Sequence, residues 1–187
     1  MSLIKTCNKA MENGKTLDLS GCFYTPAKKN SIPMYYYFLA GLIKEIEATQ
    51  VLEVGTYYGG SSRAMATAMN VGGKVITLDV EGKKLLRHPQ VTYVKGNSQE
   101  LPIIKKVCSF FIPPIDVIYL DSVHTYIHTM NDFYSYNRLN PKYVIFDDIK
   151  LNPQMIKAWG DLSARFNALD IGSLVNRKCG FGIIQLR

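Results

Sequence analysis

Four residues in the second half of the sequence carry the most chemistry: Asp121, His124, Asp147 and Asp148. The first two stand in Leu120-Asp121-Ser122-Val123-His124, and the last two close Tyr143-Val144-Ile145-Phe146-Asp147-Asp148. Each group ends a short apolar run of the kind that makes a buried strand. Three carboxylates therefore gather where neighbouring strands end. Crowded carboxylates repel one another unless a cation sits among them. Oxygen ligands suit a hard divalent ion such as Mg²⁺, which keeps waters and needs few protein ligands. Such an ion would hold two neighbouring oxygens of a bound molecule and lower the pKa of one hydroxyl. His124, with an ordinary pKa of about 6.5, suits the role of taking that proton near neutral pH. His128 lies one helical turn on and faces the same side, but farther from the strand end. Structural roles compete for these residues: Asp147 and Asp148 could shape a turn or cap a helix, and His124 could simply open one.

A second constellation lies earlier, in Val51-Leu52-Glu53-Val54-Gly55-Thr56-Tyr57-Tyr58-Gly59-Gly60-Ser61. A buried strand runs into a glycine loop, and a helix follows. Glycine lets a ligand approach the backbone, and the helix start presents unpaired amides. The spacing is E-x-G-x-x-x-G rather than G-x-G-x-x-G, so a pyrophosphate cradle is not supported. Asp79 ends the next strand, about 20 residues downstream, where an acid can accept hydrogen bonds from a ribose diol. A helix N-cap is the competing role for Asp79, and Glu81 is a weaker candidate for the ribose. After the third strand comes Gly96-Asn97-Ser98-Gln99, in which Ser98 could also cap a helix.

The glycine loop resembles that of the class I S-adenosylmethionine (SAM)-dependent methyltransferases. The resemblance implies that Glu53, Gly55, Thr56, Tyr57, Gly59 and Ser61 surround the methionine part of the cofactor. It also implies that Asn97 and Ser98 hold its adenine. The Ser-Gln pair after the third strand is similar to that of catechol-type O-methyltransferases. Those enzymes place an aspartate after strand four and two acidic or amide residues after strand five, which Asp121, Asp147 and Asp148 match as metal ligands. Asp121 could alternatively bind only the cofactor's amine. Catechol-type enzymes carry a lysine base three residues beyond the first aspartate. Asp121-x-x-His124 instead looks like the sugar- and macrolide-modifying and cephalosporin-hydroxylase-like relatives. The implied catalytic residues are His124 and Asp121, the implied cofactors SAM and Mg²⁺.

These residues need a scaffold, and the hydrophobic pattern supplies one. Strands are expected at Gln50–Val54, Lys74–Asp79, Val91–Lys95, Ile115–Leu120 and Tyr143–Phe146, and two more at Gly172–Val175 and Phe181–Leu186. Helices are expected near Ile4–Glu12 and at Tyr35–Ala48, Ser61–Met69, Ser98–Cys108, Thr125–Leu139 and Pro153–Leu169. Apolar strands alternating with helices imply an α/β fold with a parallel sheet covered on both faces. The last two strands, joined by a short turn, must pair antiparallel. The expectation is a Rossmann-like methyltransferase sandwich, with a mostly parallel seven-stranded sheet ending in a C-terminal antiparallel hairpin. Residues 34–187 form the SAM-binding domain. Residues 1–33 precede it as a segment packed over it, in which 26–34 could act as a lid with Tyr35–Tyr37 lining the pocket.

With 187 residues, 47% hydrophobic and 20% charged, the chain is long enough for one real core and unlike a disordered protein. No apolar run reaches the ~20 residues of a membrane span, and no targeting segment is legible, which points to the cytoplasm. Cys7, Cys22, Cys108 and Cys179 lack the paired spacing of a zinc site and read as reduced thiols. The net charge of +7 is dispersed, as in Lys83-Lys84-Arg87 and Arg177-Lys178, and reads as solvated surface. A nucleic-acid partner is therefore disfavoured. The function expected is Mg²⁺-assisted O-methylation of a small hydroxylated molecule: a sugar, glycoside or polyphenol. The alternatives are a metal-independent methyltransferase of RNA or protein, and a non-catalytic SAM-binding protein. Pairing into a homo-oligomer through exposed helices is compatible with this fold.

Overall fold

Alternation along each strand sorts the side chains onto two faces, and both faces here are apolar. The computed structural model describes residues 2–81 and 86–187, so Lys83 and Lys84 lie outside the described residues. Its elements are α1 (Leu3–Lys15), α2 (Met34–Glu45), β1 (Gln50–Val54), α3 (Gly60–Thr67), β2 (Lys74–Asp79), β3 (Val91–Lys95), α4 (Leu101–Cys108), β4 (Val117–Leu120), α5 (Tyr126–Asn137), β5 (Tyr143–Asp147), α6 (Pro153–Ser163), β6 (Asn167–Asp170) and β7 (Phe181–Gln185). One seven-stranded sheet has the order β3-β2-β1-β4-β5-β7-β6. The first five strands are parallel, and β7 runs antiparallel between β5 and β6. Val51, Val75, Val117 and Ile145 pack with α1, α2 and α3 on one face. Leu52, Ile76, Ile118 and Val144 pack with α4, α5 and α6 on the other.

The C-terminal hairpin differs from the sequence expectation in its first strand. α6 stops at Ser163, and Asn167–Asp170 continues as β6. Gly172–Val175 is turn rather than strand. β6 forms the sheet edge with Asn167 exposed, so it needs no continuous apolar run and gives no strand signal. The apolar residues after it are held in turns: Asp170 Oδ1 accepts from the Gly172 amide at 2.8 Å, and the Val175 amide donates to the Ile171 carbonyl at 3.1 Å. α4 also starts later than expected, at Leu101, with a proline in its first turn, where the missing N–H costs nothing. At the other end of the chain, α1 is part of the core, with Leu3, Cys7, Ala10 and Met11 buried against α2.

Strand order reverses between β1 and β4. In open parallel sheets, ligands bind at the carboxyl ends of the strands beside such a reversal. The two strand ends are pressed together there. The Asp121 amide donates to the Val54 carbonyl at 2.8 Å. Gly55 has φ +100°, and a Cβ on it would lie 1.8 Å from the Asp121 carbonyl oxygen. Only glycine fits, in space and in backbone conformation.

Glu53 ties the strands to α3. It pairs in register with Thr77 on β2 and Tyr119 on β4, on the face that α3 covers. Its fully buried carboxyl accepts from Ser61 Oγ at 2.5 Å, from Thr77 Oγ1 at 2.5 Å and from Ser62 Oγ. Thr56 extends the chain, its hydroxyl 2.6 Å from that of Thr77. Burial pushes the carboxyl up from 4.5 to about 7, against the pull of the three hydroxyls. A raised folded-state pKa means that ionisation opposes folding. The contribution of Glu53 to stability is therefore lost as pH rises from about 4.5 to about 7. Glu53→Gln cannot ionise and should gain on wild type across that window. Urea midpoints measured from pH 4 to 8 check this, and a constant difference across the range would contradict it.

Candidate active site

A cleft of about 420 Å³ opens at the carboxyl ends of β1 to β4. It collects Gly55 and Tyr57 from the glycine loop, Asp79 and Glu81 after β2, Asn97 and Ser98 after β3, and Asp121 after β4. Leu78, Val80 and Val123 add apolar wall, and His128 reaches in from α5. Glu53, Thr56, Gly59 and Ser61, also expected around the cofactor, do not line the cleft. Glu53 and Ser61 bond to each other beneath it, Thr56 joins the same hydroxyl chain, and Gly59 caps α3. They shape the loop from behind.

Asp79 fixes that loop in front. Its Oδ2 accepts the Thr56 amide at 3.0 Å and the Tyr57 amide at 2.8 Å, and its Oδ1 accepts the Glu81 amide at 2.9 Å. Tyr57 is thereby held at φ +51°, in the left-handed region that costs a non-glycine residue of order 1–3 kcal/mol. A carboxylate has about four acceptor sites. Among the described residues three are filled, so Asp79 can hold the loop and still accept one hydroxyl from the cleft. Asn97 and Ser98 form the turn beyond: Asn97 Oδ1 accepts the Gln99 amide at 3.0 Å, and the Ser98 carbonyl accepts Tyr136 Oη at 3.0 Å. Behind them the buried Asp132 accepts Ser122 Oγ at 2.9 Å and lies 3.7 Å from His128 Nε2.

The second constellation adjoins the cleft through Asp121. One donor atom each from Asp121, His124 and Asp147 lies within 4.8 Å of the others. Asp121 accepts Tyr119 Oη at 3.0 Å. Its carboxyl is pushed up to about 6, first by burial and then by the charge of Glu53. Asp147 is 1% exposed; burial and the Asp121 charge push its carboxyl up, and the Arg177 guanidinium pulls it back toward ionisation. His124 Nε2 lies 3.7 Å from Asp121 and 3.9 Å from Asp148, and is buried without a hydrogen-bond partner. Asp148 Oδ1 makes no hydrogen bond but lies 3.0 Å from the Arg177 guanidinium, and its residue sits at φ +53°. Orphaned buried polar atoms are costly. Here His124 Nε2 faces the carboxylates of Asp121 and Asp148, and the oxygen donors of the cluster fit a hard divalent ion with the imidazole beside it.

Three residues that sequence reasoning missed complete the site. Arg177, expected to be solvated surface, instead sends its guanidinium to Asp147: Nε donates to Oδ1 at 2.9 Å, and Nη2 to Oδ2. It also reaches Asp148 Oδ1 at 3.0 Å and lies over the Tyr35 ring at 5.0 Å. Breaking such a buried pair from one side typically costs about 3–5 kcal/mol. Its position in the β6–β7 connection gave no local signal. Tyr24 stacks at 5.3 Å on Tyr57, and its hydroxyl is raised by burial and by the charge of Asp121. Asp132 was legible only as an acid four residues beyond His128 in a helix.

Comparison with known proteins places this geometry. The family model described as rhamnosyl O-methyltransferase/CmcI matches residues 31–165, more than half of the chain. The chain belongs to the rhamnosyl O-methyltransferase/CmcI family. It is therefore a SAM-dependent methyltransferase, on a fold shared with solved relatives. An O-methyltransferase from Bacillus cereus, solved with S-adenosylhomocysteine (SAH), superposes with a TM-score of 0.64 at 19% identity, over 98% of this chain and 91% of that one. The SAH-bound Podospora anserina methyltransferase PaMTH1 gives 0.61 at 12% identity, over 97% and 88%. MycE of the mycinamycin pathway, solved with Mg, SAH and mycinamycin VI, gives 0.56 at 14% identity, over 76% of this chain and 46% of that longer one. No curated protein matches in sequence. Among the described residues no helix is long and apolar enough to cross a membrane.

If Asp79 accepts a cofactor hydroxyl besides the loop amides, Asp79→Asn should weaken SAH binding about ten-fold or more, since a charged acceptor is replaced. Calorimetric titration of both proteins measures the ratio. Equal affinities would remove Asp79 from the cofactor site.

Proposed function

We propose that the protein transfers a methyl group from SAM to one hydroxyl of a vicinal diol on a small sugar, glycoside or polyphenol, with a divalent ion at the acid cluster. The observation that carries this reading is the convergence of Asp121, His124 and Asp147 beside the cleft. The family description, rhamnosyl O-methyltransferase, and the Mg in MycE support it. Methylation of RNA or protein has only the net charge in its favour.

Bound SAM would supply an electrophilic sulfonium methyl, and Mg²⁺ held by Asp121 and Asp147, with Asp148 beside them, would lower the pKa of the acceptor hydroxyl. The chain's own residues do the rest. Gly55, Tyr57, Asp79, Asn97 and Ser98 orient the cofactor, with Asp121 at the reacting end. His124 Nε2 takes the proton as the oxygen–carbon bond forms and the carbon–sulfur bond breaks, leaving a neutral thioether. The charge on the sulfonium disappears in that step, so exclusion of water favours it. Tyr24 and Tyr57 form an aromatic wall on the acceptor side. Residues 1–33 then act with the 34–187 domain as the acceptor-facing segment, and 26–34 as the lid.

Incubation with SAM and a panel of catechols and deoxysugar glycosides, with Mg²⁺ or chelator, tests this by product mass. The reading expects a singly methylated diol that chelator abolishes. Methylation that persists in chelator, or that appears only on RNA or protein, would overturn it. On the diol found, His124→Ala should lower kcat by about 10²–10⁴-fold, the usual worth of a general base, with SAH affinity unchanged. An unaltered kcat would assign the proton to another group.

A further inference from the structure

We propose that Arg177 is the built-in cation of the acid cluster, and that a divalent ion enters only by displacing its guanidinium from Asp147. The inference rests on the reading of Asp121, His124 and Asp147 as a cation site. Asp147 supplies one of the three converging donor atoms, yet both of its oxygens already accept from Arg177. The same guanidinium lies 3.0 Å from Asp148 Oδ1. It therefore serves two of the three acids expected to be metal ligands.

The fold holds Arg177 there before any ligand arrives. Its amide donates to the Gly172 carbonyl at 2.7 Å, and its carbonyl accepts from Gly180 at 3.0 Å. The guanidinium rests over the buried Tyr35 ring. A planar fork matched to a carboxylate is the arrangement in which arginine binds most specifically. Asp147 is shielded from water, so a divalent ion beside the docked guanidinium would be a like-charge contact in low dielectric. One cation or the other can hold Asp147. The guanidinium leaves Asp121 unserved, with only the Tyr119 hydroxyl as its partner among the described residues. That half of the cluster is where an ion gains on Arg177. Occupancy by an ion is thereby coupled to release of the Arg177 side chain, and the coupling is reciprocal.

The experiment is a Mg²⁺ titration of the full chain followed by calorimetry and by the ¹H–¹⁵N Nε resonance of Arg177. Wild type should bind Mg²⁺ weakly and saturably, with the Arg177 resonance leaving its ion-paired position in step with binding. Arg177→Gln should bind Mg²⁺ about ten-fold or more tightly, within the usual range for competing ligands. Mg²⁺ saturation with the resonance unmoved would overturn the inference and leave the proposed cation site standing. Equal affinity in the two proteins would do the same. No Mg²⁺ binding to wild type would overturn both. If Arg177→Gln does not fold, the wild-type titration alone decides.

Discussion

Carboxylates crowd the carboxyl edge of this parallel sheet, and low dielectric makes each of them expensive to leave charged and unpartnered. How each is partnered determines what its part of the site does. Glu53 is surrounded by hydroxyls and becomes a brace between β1, β2 and α3. Asp79 meets backbone amides and becomes the clamp of the glycine loop. Asp147 meets a guanidinium. Asp121 has one tyrosine hydroxyl and open space beside it, and is left to face ligands. The chemistry is concentrated where partnering is least complete.

Asp121 also joins the two halves of the site. Its backbone is pinned to β1 through Val54, against a glycine that nothing larger could replace. Its side chain lines the cleft at the β1/β4 reversal and belongs to the cluster with His124 and Asp147. A molecule held at that cluster would lie beside the cleft. Such proximity is worth most when the scaffold is rigid, and the strand ends at Gly55 and Asp121 are in close backbone contact.

Much of this was legible in the sequence because the signals are local. β1, β2 and β3 have the bounds their apolar runs suggest, and the glycine loop, Asp79, Asn97, Ser98 and Asp121 each end a strand, so topology alone brings them to one edge. What was not legible is non-local. Arg177 lies 30 residues from Asp147 in sequence, and nothing around it distinguishes a buried guanidinium from a solvated one. β6 was missed because an exposed edge strand needs no apolar pattern. At Glu53 the spacing shows that an acid sits beside the loop, not which way its carboxyl turns. Pairing with Thr77 and Tyr119 turns it under α3.

We propose that the cleft at the β1/β4 reversal is the cofactor site and that the acid cluster beside it is a separate site for a cation. Titration of SAH into chelator-treated wild-type protein by calorimetry tests it most directly. The account predicts saturable one-to-one binding without any metal, since among the clustered acids only Asp121 lines the cleft. Failure to bind SAH until a divalent ion is restored would contradict the separation of the two sites, and failure to bind it under any condition would contradict the cleft itself.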